Sequence, residues 1–193
     1  ELYDIVLNDP EKLDVKAADT LLEELREGFR KIDAAQRRSD CVFAVGLSVE
    51  AIMPHAQAAR MVGRAFWLRI VRDVQKGTLD RPLQDIGRLL RLSRDLRPRG
   101  PFISQLVGAA IEAGLIRNIL PMILTSPKLK PEDCDRLITL LNEHETLGLD
   151  SFATGAKAEY VMQRTTLRFL QEGRETKAGK DGKPADEKRS NEQ

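Results

Sequence analysis

The chain has 193 residues, enough for one domain with a real core plus tails. Hydrophobic content of 41%, charged content of 32% and a net charge of +1 are those of a helical protein without a bulk field to select its partners. Two cysteines, Cys41 and Cys134, exclude a cysteine zinc site and a disulfide-dense scaffold, leaving two separate buried thiols or one long-range bridge.

In chain order, residues 1–16 read as a lead-in whose LYDIVL docks as an apolar strap. Ala18, Leu21, Leu22, Leu25 and Phe29 then fall at helical spacing and predict a first helix over 17–35, opened by Asp14 or Asp19. The stretch 36–50 mixes turn formers with a short β-branched run over 42–45 and reads as extended chain or loop. A helix follows from Ala51 or Pro54 to Gln75, with Pro54 in its first turn and Lys76 and Gly77 at its end. Asp80 is placed to cap the next, with Pro82 in its first turn and Leu83, Ile86, Leu89, Leu90 and Leu96 inward.

Phe102–Leu124 is the longest apolar segment, long enough for a membrane span. Gln105, Glu112, Arg117 and Asn118 interrupt it, and it reads instead as the central packing helix. Pro131 and Glu132 open another helix that buries Leu137, Ile138, Leu140 and Leu141 and leaves at Leu147–Gly148. Ser151 caps the last, Phe152–Glu172, with Ala156, Tyr160, Val161, Leu167 and Leu170 on its inner face. Gly173 ends the fold, and 174–193 has no large apolar residue, the composition of a disordered charged tail. The fold class is therefore all-α: a single domain over 17–173, a bundle or short solenoid of about six helices.

Charge is uneven along the chain. Residues 1–59 carry 7 basic and 12 acidic groups, whereas 60–99 carry 11 basic and 4 acidic. Arg81, Arg88, Arg91 and Arg94 recur along one helix, and Arg60 and Arg64 along the one before it. Such a stripe suits phosphates or anionic lipid, or else pairs internally with Glu23, Glu24 and Glu27. The near-zero net charge favours internal pairing, and the absence of interleaved aromatics argues against nucleic acid.

No HExxH, P-loop, GxGxxG or GxSxG pattern occurs, so no metal or cofactor is implied. His55, near a helix start, and His144, between Glu143 and Glu145, read as surface or capping residues. An acid–base site would have to gather Glu50, His55 and Glu112 in space, with Cys41 as a possible thiol. Glu112 itself reads as part of a solvent stripe with Gln105; buried, it would need Arg69, Arg72 or Arg117.

The sequence from the QKG at 75–77 through TLDRPLQDIGRLLRL resembles a tetratricopeptide-type helical hairpin, with Gly77, Leu79, Leu83 and Leu90 at its turn and packing positions. Pro82 stands where that repeat has a small Ala, and the Trp and Tyr spacing of its first helix is missing. The stretch 58–120, from AARMVGRAFWLRIV to EAGLIRNIL, resembles a segment of uncharacterised helical proteins of planctomycete-type bacteria. That resemblance implies a domain that is exported or tethered through an N-terminal membrane anchor, with a cytoplasmic home as the alternative. It implies no activity.

These readings converge on a non-catalytic interaction or scaffold module that binds protein or peptide. Arg60, Arg64, Arg88 and Arg91 are its expected polar contacts, and Trp67 its anchor if exposed. The alternatives are an anionic-surface binder using the same arginines and an enzyme using Glu50, His55 and Glu112.

Overall fold

Asp14 accepts hydrogen bonds from the backbone N–H groups of Lys16 and Ala17 at 2.9 and 3.2 Å, and thereby opens α1, Val15–Glu24. The computed structural model describes residues 5–6, 8–38, 41, 43, 53–97, 100–148 and 151–181. Among them no strand occurs, and the fold is all-α. The expected first helix is two, since the chain turns at Leu25 before α2, Arg26–Ala35. Leu22 and Phe29, from either side of that break, both reach the core. Of the β-branched stretch 42–45, only Phe43 falls among the described residues, outside any helix.

Helices α3, Pro54–Gln75, and α4, Asp80–Leu96, form the central hairpin. Their turn is a Schellman motif: the N–H of Thr78 reaches the carbonyl of Asp73 at 3.0 Å, and that of Gly77 reaches Val74 at 2.9 Å. Gly77 has φ +74°, a left-handed conformation that costs an L side chain steric strain. Gly77→Ala is expected to lower stability by about 1 kcal/mol. The added methyl meets only Lys128 Cε, 4.0 Å away, so thermal denaturation of this variant reports backbone strain without a clash.

Phe102–Leu124 is long and apolar enough to cross a membrane by length and composition, with a mean hydropathy of 1.5. Here it packs against α3, α4 and the last helix of the chain as three parts: α5, Phe102–Gly114; a π-helical turn, Leu115–Ile119; and α6, Leu120–Leu124. Val107, Ile111, Leu115, Ile119 and Ile123 are all buried and recur at every fourth residue. In a pure α-helix such a row would drift by about 40° per step. The wider π turn, in which the N–H of Leu120 bonds Leu115, keeps the row in line. The same widening relieves Pro121, whose ring would otherwise clash with the carbonyl four residues earlier.

Helix α3 is deeply enclosed, its Ala65, Phe66, Trp67, Leu68, Ile70 and Val71 all buried. It is covered by α1, α4 and α5. A Cβ on Gly114 would stand 2.3 Å from the Trp67 ring, so α5 approaches α3 with no room for a side chain there. The expected hub carries instead an exposed apolar stripe through Phe102, Ile103, Leu106 and Ile116.

Helix α7, Pro131–Gly148, lies on α4 and buries Leu137, with Leu140 and Leu141 half-buried and Ile138 turned outward. Helix α8, Ser151–Asp181, packs on α5 and runs past Gly173, where the sequence reading ended it. Its inner stripe is also different from the expected one. Gly155 and Ala158 are buried and Met162 and Thr166 half-buried, while Ala156, Tyr160, Val161, Leu167 and Leu170 are exposed. The reason is closeness: a Cβ on Gly155 would lie 2.7 Å from Gln105 Nε2, so the contact selects small residues over large apolar ones.

Candidate functional site

Two members of the acid–base trio, His55 and Glu112, do not meet. Glu50 lies outside the described residues. His55 is half-buried near the start of α3, stacked on Phe43 at 5.1 Å with Nε2 3.3 Å from Ser104 Oγ, and burial holds its pKa below the ordinary histidine value. Ser104 and Glu112 both lie on α5, separated by about 12 Å of helix rise. His55 and Glu112 therefore belong to different ends of that helix, beyond hydrogen-bond reach. Cys41 and Cys134 are free thiols.

The histidine that meets Glu112 is His144 of α7, whose Nε2 lies 2.6 Å from Glu112 Oε1. Ser93 Oγ of α4 lies 2.6 Å from the same oxygen and 3.1 Å from the Gly108 carbonyl, and Arg97, just past the end of α4, forms an ion pair with that carboxylate. Arg97 also donates to Ser93 Oγ at 3.1 Å. Three helices thus converge on one carboxylate. Burial raises its pKa, but the hydrogen bonds from His144, Ser93 and Arg97 pull it further the other way, down to about 2. Neither Gln105, which is buried and donates to the Arg97 carbonyl at 2.6 Å, nor Glu112 belongs to a solvent stripe. Glu112's arginine is Arg97, not Arg69, Arg72 or Arg117.

Ser93 has one proton to share between the Glu112 carboxylate and the Gly108 carbonyl, and its oxygen receives from Arg97. His144 commits Nε2 to the carboxylate, and its buried Nδ1 has no protein partner. The arrangement ties α4, α5 and α7 together.

The arginines fare similarly. Arg69 donates from Nε and Nη2 to both Asp85 oxygens at 2.7 Å, and its guanidinium lies 3.6 Å over the Phe29 ring. Arg88 bonds Asp85 at 2.7 Å and pairs with Asp33 of α2. Arg72 and Lys76 pair with Asp19 of α1 at 3.3 and 2.7 Å. Internal pairing with the acidic first helices is thus present, but through Asp19 and Asp33; Glu23 and Glu27 pair instead with their helix neighbours Arg26 and Arg30. Arg91 donates to the Arg38 carbonyl and lies 3.6 Å from Asp95.

Of the residues expected to meet a partner, Arg60 and Arg64 are exposed, Arg88 and Arg91 half-buried and paired, and Trp67 only 8% exposed. Trp67 is core and cannot anchor a partner without unfolding α3. A concavity of about 360 Å³ opens between α1–α2 and the hairpin, with Leu22 and Phe29 among its lining and Arg26, Arg69, Arg72, Lys76 and Arg81 around them. Each of these cations already has a carboxylate, Arg81 through Asp73 at 3.7 Å. An incoming anion would have to displace Asp19 or Asp73.

What remains open is apolar. Phe102, Ile103, Leu106 and Ile116 of the α5 segment are exposed, and so are Phe152, Tyr160, Val161, Leu167, Phe169 and Leu170 of α8. The Phe102 and Phe152 rings meet edge to face at 5.7 Å, which joins the two sets. Sequence periodicity flagged these residues as apolar but assigned most of them to the interior. No protein-family model, curated protein or solved structure matches the chain.

Proposed function

We propose that the chain is a non-catalytic helical interaction module that binds protein or peptide through the apolar faces of α5 and α8. The supporting observation is the joined set of exposed large apolar residues on these two helices. Exposed apolar side chains gathered on neighbouring elements mark interaction surfaces. The tight α3–α4 hairpin, turned at Gly77 as in a tetratricopeptide-like unit, is the frame that holds α5 out to a partner. The anionic-surface reading has less support, because Arg88 and Arg91 are already engaged within the chain.

The test places the photoreactive residue p-benzoylphenylalanine at Leu106 of the apolar face, or at Arg60 of the cationic one, in the full chain expressed in cells. Irradiation is expected to give a protein adduct of discrete mass from Leu106 and none of that mass from Arg60. Failure to obtain any protein adduct from Leu106, or identical adducts from both positions, would sink the proposal.

A further inference from the structure

Helix α8 carries an unpartnered coiled-coil seam. Ala153, Ala156, Tyr160, Gln163, Leu167 and Leu170 are spaced three and four alternately, the a and d positions of a heptad. All six are exposed, Tyr160 by 64%, Leu167 by 62% and Leu170 by 54%. They do not lie on the face used within the chain, which is the small-residue stripe of Gly155 and Ala158 against α5. A single helix gains too little from its own hydrogen bonds to stand alone in water and takes most of its stability from packing. From Tyr160 to Gln171, Met162 and Thr166 are half-buried and the other residues exposed.

We infer that this seam is covered by α8 of a second copy of the chain, the two helices running parallel about a two-fold axis. The inference rests on the interaction-module reading and names its partner. Charge selects both occupant and direction. With the seam residues at a and d, Glu159 takes position g and Lys157 and Arg164 take position e. In a parallel pair, g of one helix faces the following e of the other, so Glu159 meets Arg164 of the second copy, and the symmetry repeats the contact. Antiparallel pairing would set e against e, bringing Lys157 and Arg164 onto cations of the second copy.

Glu159 accepts the Phe102 N–H at 3.2 Å through Oε2, and its Oε1 lies 3.4 Å from Gln163 Nε2. Gln163 at a d position would meet its own copy across the axis, a polar pair that fixes register. The next a and d residues are Arg174 and Lys177, like charges that close the apolar seam after Leu170. The seam spans about 26 Å, so its area is at the low end for a specific interface.

Sedimentation equilibrium of the full chain tests this up to ~200 µM, a range suited to a small interface. The weight-average mass is expected to rise from 21.7 kDa toward twice that value with concentration. Leu167→Asp with Leu170→Asp should hold the chain monomeric with its helical circular dichroism intact. Arg164→Glu alone, which sets Glu159 against a second carboxylate, should weaken the dimer roughly tenfold, as should Glu159→Arg alone. Mixing these two single variants should restore dimerisation, because each then meets its opposite charge only in the mixed parallel pair. A wild-type chain that stays monomeric, a dimer indifferent to the Leu167 and Leu170 changes, or a mixture no tighter than its components overturns the inference. A monomeric chain that still cross-links from Leu106 to a different protein removes the dimer alone; a monomeric chain with no protein adduct from that position removes the interaction reading as well.

Discussion

Asp85→Ala is expected to lower the unfolding free energy by about 4 kcal/mol, the scale of an ion pair broken inside a protein. Asp85 is fully buried and accepts from three guanidinium nitrogens: Nε and Nη2 of Arg69 and Nη1 of Arg88, each at 2.7 Å. Without it, Arg69 keeps only the faces of Phe29 and Phe66, whose ring centres lie 3.6 and 4.8 Å from its guanidinium carbon. Cation–π attraction contributes about 2 kcal/mol at most in a desolvated site, short of the cost of an unpaired buried charge. Arg88 retains Asp33 and is less affected.

The companion variant separates charge from packing. Replacing Arg69 by Met together with Asp85 by Leu removes both ions and their desolvation cost, and most of the lost stability should return. Urea unfolding at neutral pH, with the slope unchanged across the set, measures both. A single-variant loss under about 1 kcal/mol would mean that the pair behaves like an exposed one.

How much of this could be read from the chain depends on where each cause resides. Pro54, Gly77, Pro131 and Ser151 act within one turn of themselves, and the helices begin or end beside them. The break at Leu25 has no such marker: no Gly or Pro stands there, and the residue keeps right-handed helical angles, φ −83° and ψ −3°. The π turn answers to Pro121 and to the core row beneath it together, so neither alone predicts it.

For α8, apolar periodicity found a stripe but gave it the wrong partner. Burial there is decided by how near Gln105 comes to Gly155, a fact of α5 that α8's own sequence does not contain. The ionic hub was hidden for a related reason. Ser93 and His144 lie on two other helices and Arg97 just past the end of one of them, and only their packing shows that Glu112 is shared among them. A lone Glu between apolar neighbours raises the question; it does not answer it.

Glu112→Gln should cost about 3 kcal/mol near neutral pH and should also flatten the acid limb of the stability profile. The folded carboxyl titrates at about 2 against an ordinary 4.5, so the sign follows directly. The folded state binds the proton less readily than the unfolded one, and stability from this group is fully present above about 4.5 and lost as pH falls through about 2. At about 1.36 kcal/mol per pKa unit, the difference sets the size quoted for the variant. The amide introduced by Glu112→Gln retains hydrogen-bonding atoms but leaves Arg97 without its counter-charge, so most of the loss is electrostatic. Ser93→Ala removes a hydrogen-bond donor while keeping the ion pair, and should cost about 1 kcal/mol. Chemical denaturation of the wild type from pH 7 to pH 2 should therefore show a falling limb below about 4.5 that is shallower in Glu112→Gln and persists in Ser93→Ala. Equal slopes in all three proteins would show that the folded and unfolded carboxyls titrate alike. The convergence of α4, α5 and α7 on Glu112 would then be a matter of shape and not of charge.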